Sequence, residues 1–244
     1  MKSTNPIFRD SVFSEAYALT ERPMTVAGTM NKLLLLSVIM LVAAAAVLYQ
    51  FSMQHYDYVQ ILFIAGCIVG LISAIVIAFN KKATPYLAPV YAFSQGAAVS
   101  AMSCFFEAMY SGIVVQAVSI TFFAVLTMGI LYKSRIIQAT DKLRSILMTA
   151  GIAVFAFYLV SFVLSLFNVN VAYFTSSSPL AIVVNIVIAL VAAFYLILDF
   201  DFIEKGVNAP LPAHYEWYGA FGLLVTILWL YVEILRLLAR LRDR

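Results

Sequence analysis

From residue 33 onward the chain alternates between long apolar runs and short polar interruptions. Seven runs can be drawn: 33–51, 59–79, 86–109, 112–132, 145–167, 179–198 (extending as far as 203) and 217–238 (starting as late as 221). Each is close to the ~20 residues an α-helix needs to cross a bilayer. Short segments of alternating hydrophobicity, the mark of a β-barrel, are absent. The pattern therefore predicts an all-α membrane protein with seven transmembrane helices, which satisfy their own backbone polar groups inside lipid. The third run is the most polar, with Ser94, Gln95, Gly96, Ser100, Ser103 and Glu107. Its small residues, Ser94, Gly96, Ala97, Ala98, Ser100 and Ala101, allow close backbone approach and predict tight helix packing. Tyr110-Ser111-Gly112 is so short a connector that the third and fourth helices must be antiparallel neighbours. Around Pro89 the chain reads as a helix entry or a kink. No connector has room for a soluble domain. The organisation expected is a cytoplasmic arm over residues 1–32, broken at Asn5-Pro6 and Arg22-Pro23, followed by one transmembrane domain over 33–244.

Composition agrees with this. Hydrophobic residues make up 64% and charged residues 11%, about half the charge of a soluble domain. The basic residues set orientation. Four lie in the arm, Lys81 and Lys82 in the second connector, Lys133, Arg135, Lys142 and Arg144 in the fourth, and Lys205 in the sixth. Connectors 52–58, 110–111 and 168–178 have none, which places the N-terminus inside. The C-terminus pulls two ways. Its Arg236, Arg240, Arg242 and Arg244 favour a re-entrant last run and six crossings, whereas its length and hydrophobicity favour seven, the reading taken. The net charge of +3 is scattered among loops and carries no nucleic-acid signal. Cys67 and Cys104 fall in apolar runs and read as buried small hydrophobes.

No catalytic pattern is present. His55 and His214 sit in connectors, and the sequence holds no GxSxG, HExxH, P-loop or Rossmann glycines. The chain is therefore read as no enzyme, with no cofactor. Its intramembrane acids are the candidates for function. An ionised group in hydrocarbon costs roughly 2.5–3.5 kcal/mol on the insertion scale, so a chain that keeps one uses or pairs it. Asp199 and Asp201 close the sixth run. Two residues apart on one helix, they point to nearly opposite faces and cannot share a proton with each other. Asp199 is the best titratable candidate, set against the plain reading of an acidic helix end in water. Glu233 lies inside the seventh run on one face with Trp229 and Arg236. Its plain reading is a local ion pair with Arg236. A Glu107–Arg236 bridge between helices would instead free Glu233 to face the interior. Tyr215, Trp217 and Tyr218 read as an interfacial aromatic belt.

Four stretches carry a family resemblance: APVYAFSQG (88–96), FEAMYSGIVVQAV (106–118), LDFDFI (198–203), and EWY (216–218) with WLYVEILR (229–236). Together they resemble the Bax inhibitor-1/YccA family, closest to its bacterial branch, across nearly the whole chain beyond the arm. The resemblance implies six helices wrapped around a central C-terminal helix, and a pH-sensitive calcium leak across the bacterial inner membrane. It also implies a proton sensor made by a carboxylate pair on the sixth and seventh helices. Carried over, that pair is Asp199 and Glu233, with Asp201 adding a charge to the gate. Glu233 stands where an Asp is typical. The same two acids would be transient calcium ligands, calcium being the transported ion. A second function implied is a non-transporting regulator that binds a membrane-bound protease. The spacing sets a condition. If the seventh helix starts at Trp217, Glu233 lies ~24 Å along it, so the pair meets only if that helix begins late or the sixth turns inward early.

Overall fold

The computed structural model describes residues 22–167 and 178–243. Most of the expected arm and nearly all of the 168–178 connector lie outside these residues. Among them there are seven α-helices and no strand: α1 (Val26–Ser52), α2 (Tyr56–Phe79), α3 (Thr84–Met109), α4 (Ile113–Lys133), α5 (Asp141–Leu166), α6 (Pro179–Asn208) and α7 (His214–Arg242). Six of these, all except α3, are long and apolar enough to cross a membrane. Within their most apolar stretches, half of α6 and of α7 is buried, against 11–22% of α1, α2, α4 and α5. The last run is one unbroken helix of 29 residues, about 43 Å long, with no reversal inside it.

Three helix ends depart from the apolar runs. Helix α1 begins seven residues early because Thr25 caps it, its Oγ1 accepting from Gly28 N at 2.9 Å. Helix α6 continues past Ile203 to Asn208. Helix α7 starts at His214.

The helices sort into two compact units. The first comprises the described part of Met1–Ala101 together with Asp199–Leu224. Helix α2 turns one stripe inward, Val59, Gly66, Gly70, Ser73 and Ile77, at helical spacing. Gly66 meets the backbone oxygen of Ser94 and the methyl of Ala98, while Gly70 receives the amide of Gln95. On the other side of α3, an added Cβ at Gly96 would lie 2.5 Å from the backbone oxygen of Met40, and Ser100 Oγ donates to the Ala44 carbonyl at 3.2 Å. The small residues of α3 therefore pack it between α1 and α2, as the sequence predicts. Cys67 departs from its expected burial: it is exposed on α2, whereas Cys104 is buried.

At one end of this unit the chain before α1 is fastened to the α6–α7 connection. Met24 N donates to the Leu211 carbonyl at 2.7 Å, and Pro23 bridges Pro212. Met24, Ile203, Leu211 and Tyr215 form a buried cluster. Glu216, 5% exposed, accepts from Thr25 N and Thr25 Oγ1, both at 2.9 Å, and pairs with Lys32. Gly28 supplies the room, since a side chain there would collide with the Glu216 carboxylate. The aromatic-belt reading fails for Tyr215, which is 2% exposed; Trp217 instead lies under the Lys32 ammonium at 5.6 Å. Thr25→Ala removes both the cap and one Glu216 donor, and should lower stability by about 1–2 kcal/mol, read as the unfolding midpoint in detergent micelles.

The second unit comprises the described part of Met102–Leu198 together with Val225–Arg244. The α3–α4 turn passes through Gly112 at φ 77°. The end of α7 rests on that turn. Arg242 donates to Ser111 O at 2.7 Å and to Gln116 Oε1 at 3.0 Å, and Tyr110 donates to Asp243 at 3.0 Å. That last bond pushes the Tyr110 phenol above its ordinary range.

Candidate functional site

Glu233 is the most enclosed acid among the described residues, at 1% exposure. Helices α5, α6 and α7 build its surroundings. Tyr158 of α5 donates its hydroxyl to Glu233 Oε1 at 2.6 Å. Asn185 of α6, itself 0% exposed, donates Nδ2 to Glu233 Oε2 at 2.9 Å and to the Glu233 backbone oxygen at 3.2 Å. Arg236 Nη1 lies 3.3 Å from the Tyr158 oxygen and 3.5 Å from Glu233 Oε1, with its guanidinium 5.5 Å from the Tyr158 ring centre. The Arg236 side chain is 30% exposed.

These distances rank the contacts. At 2.6 and 2.9 Å the hydroxyl and amide bonds are short, while 3.5 Å is at the limit of hydrogen bonding. Neutral donors therefore do most of the holding, and the local ion pair with Arg236 is the weakest of the three contacts. Around them lie Ala181 and Ile188, with Val154, Phe157, Val184 and Trp229 packed against them. Trp229, one turn before Glu233, meets Tyr195 edge to face at 5.6 Å. Arg240, one turn after Arg236, donates to the Ala181 carbonyl at 2.7 Å. Residues 195, 185 and 181 of α6 thus meet 229, 233 and 240 of α7 in antiparallel order.

Glu107 and Arg236, the expected bridge, are engaged separately. Both Glu107 oxygens accept backbone N–H groups at the start of α4, Gly112 at 2.5 Å and Val114 at 3.0 Å. The first turn of a helix offers unpaired N–H groups and a positive dipole end, which suit a carboxylate. Arg242 lies within electrostatic reach of this acid, while Arg236 faces Glu233 and Tyr158.

Asp199 belongs to the first unit and is half-buried. Its Oδ1 stands 3.7 Å from where a Cβ of Gly222 would lie, and Tyr218, one turn away on α7, is within its electrostatic reach. Asp201 turns the other way. It is 8% exposed and pairs with Lys205 at 2.8 Å, one turn along α6. The late start of α7, one condition set for a meeting of Asp199 and Glu233, does not occur. Helix α7 begins earlier than residue 217, and α6 runs on to Asn208. Among the described residues no three His, Cys, Asp or Glu side chains gather as a metal site.

Sequence reasoning missed Tyr158 and Asn185. Each leaves a signal: Asn185 is the one amide in the apolar run 179–198, and Tyr158 is a hydroxyl well inside the run 145–167. An amide at that depth needs a partner, but only the packed structure says which.

Helices of spanning length, buried acids and an α3 packed through small residues describe a polytopic membrane protein. Comparison with curated proteins and with solved structures gives no match. A family model described as "Bax inhibitor 1 like" matches residues 5–243, nearly the full chain. This integral membrane protein therefore belongs to the Bax inhibitor 1 like family.

Proposed function

We propose that this chain is a passive, proton-responsive cation pathway with calcium as its cargo, and not an enzyme. The observation that carries this reading is Glu233, a carboxyl enclosed on a helix of spanning length and held mainly by neutral donors. Intramembrane acids in such positions mark ion and proton routes. Asp199 is the second acid of the mechanism, titrating in its own surroundings beside Gly222 and Tyr218. At high pH both carboxyls are charged and draw cations. At low pH they are neutral and the route shuts. Calcium suits such a role, because it accepts carboxylate and carbonyl oxygens in flexible, incomplete sets.

Helix α3 is proposed as the seventh crossing. Its 26 residues span the distance, and its polar positions Ser94 and Ser103 are buried in protein. The charge pattern supports a cytoplasmic N-terminus, and the family resemblance supports a bacterial inner membrane.

The test is calcium flux into liposomes across pH. Glu233→Gln, which mimics the protonated form, should give low flux that no longer varies with pH. Asp199→Asn should weaken the pH response. Unchanged flux and pH response in both variants would remove the pathway reading. A protein partner, such as a membrane-bound protease, lost on deletion of residues 1–21 would then identify a regulator.

A further inference from the structure

One side-chain oxygen beside Glu233 has no donor. Asn185 is 0% exposed. Its Nδ2 donates to Glu233 Oε2 at 2.9 Å and to the Glu233 backbone oxygen at 3.2 Å, which uses both N–H groups of the amide. Its Oδ1 is buried and accepts no hydrogen bond from the described residues. Turning the amide over gives no relief, because Oδ1 would then face two acceptors. A buried acceptor without a partner is costly and uncommon, and it calls for a positive group. The amide is primed to receive one, since the two bonds donated by Nδ2 polarise it and leave more negative charge on Oδ1. The Glu233 carboxylate is lopsided in the same sense. Oε1 takes the Tyr158 hydroxyl at 2.6 Å and has Arg236 Nη1 at 3.5 Å. Among the described residues Oε2 takes the neutral Asn185 amide alone, and a carboxylate oxygen has a second lone pair to give. A cation is therefore opposed by Arg236 at Oε1 and better received at Oε2, the oxygen that Asn185 touches.

We propose that Asn185 supplies a neutral oxygen ligand to the divalent cation that Glu233 draws in, so that α6 and α7 together form one resting point for the cargo. The inference rests on the reading of Glu233 as the cation-drawing acid. The chemistry of the pair fits calcium better than magnesium. Calcium takes amide and carbonyl oxygens beside carboxylates in flexible sets, whereas magnesium dehydrates reluctantly and keeps several waters. The carboxylate attracts either ion. The buried amide oxygen stands in for a water that calcium gives up more readily. One acid and one amide also make a weak site, as passage requires. Glu233 thus supplies affinity, and Asn185 supplies the preference for calcium.

Terbium, a luminescent stand-in for calcium, reads this site at equilibrium and without any flux. The chain has two tryptophans, so a Trp217→Phe background leaves Trp229, one turn before Glu233, as the sole indole. In the full chain, purified in detergent micelles at one neutral pH, indole-sensitised terbium emission then reports ions bound near Trp229. Calcium or magnesium added in competition displaces them. Glu233→Gln should abolish the emission. Asn185→Leu should weaken calcium binding, read from displacement, by about tenfold or more, the scale seen even for indirect partners of metal ligands. It should leave magnesium nearly unchanged. Asn185→Asp keeps an oxygen at the position but loses both N–H donors, and should keep the preference for calcium. A residue that only held Glu233 in place through Nδ2 would act differently, with Leu and Asp each weakening calcium and magnesium alike. That pattern, or a wild-type ratio of calcium to magnesium affinity in Asn185→Leu, would overturn the role of Asn185 while leaving Glu233 as the cation-drawing acid. Should Asn185→Leu not fold, loss of the preference in Asn185→Asp would overturn it equally. Emission absent from the Trp217→Phe protein, or surviving Glu233→Gln, would overturn the acid and its ligand together.

Discussion

Lys32→Met should destabilise the protein by about 2–4 kcal/mol, at the low side of the range for breaking a buried ion pair because Lys32 keeps some contact with water. The Lys32 side chain is 22% exposed and that of Glu216 only 6%. Removing the ammonium leaves a carboxylate fixed among neutral partners, with Thr25 N and Thr25 Oγ1 as its donors. The reverse change is milder. Glu216→Gln leaves Lys32 free to carry its ammonium toward water on a flexible stem, while the amide oxygen still accepts from Thr25. Lys32→Met should therefore lower the unfolding midpoint in detergent micelles more than Glu216→Gln. The double variant should recover part of the loss, with a coupling of about 1–3 kcal/mol. Equal losses in the two single variants, or strict additivity in the double, would mean that the clasp rests on the Thr25 bonds and not on the ion pair. The clasp joins the start of α1 to the start of α7, elements 184 residues apart at this contact. Its loss should loosen both helix ends together.

Much of this was legible in the chain, and the gaps have a common cause. Seven helices follow from runs whose length and hydrophobicity leave no other structure. The packing of α3 follows from its Gly, Ala and Ser content. Helix ends are harder because they are set by local chemistry. Thr25 is a good cap, yet Met24 through Lys32 is too polar to extend the apolar run. The acids were legible as candidates, but their partners were not. Glu107 stands five residues before Gly112 and seven before Val114, and its use across that turn is local. The expected bridge to Arg236 supposed a register between α3 and α7 that no spacing in the sequence fixes. The same holds for Glu233, whose ion pair with Arg236 is visible at i, i+3 while its closer partners, Tyr158 and Asn185, come from other helices. Tyr215 shows the opposite error. An aromatic cluster at a helix start looks interfacial, but here one ring is enclosed by Met24, Ile203 and Leu211.

The packing of α3 against α1 should be the least forgiving part of the first unit. An added Cβ at Gly96 would lie 2.5 Å from Met40 O, 2.9 Å from its Cα and 3.0 Å from its carbonyl carbon. All three are backbone atoms, so no rotamer change relieves the contact, and α1 and α3 must move apart by roughly 1 Å to restore ordinary packing distances. The Ser100–Ala44 hydrogen bond, already 3.2 Å long and one turn away, would not survive that movement. Gly96→Val adds two more carbons and brings no gain in helix propensity over what a straight side chain would give. It should destabilise by about 3 kcal/mol or more, at or above the top of the usual range for overpacking. Gly112→Ala makes the contrasting control. Nothing lies within 4 Å of its added Cβ, but its φ of 77° is left-handed, a conformation costing roughly 1–2 kcal/mol for a residue with a Cβ. One glycine is required for space and the other for conformation, and the unfolding midpoints should order them accordingly. If Gly96→Val were no worse than Gly112→Ala, α1 and α3 would not be in backbone contact, and the close packing of α3 would have to be given up.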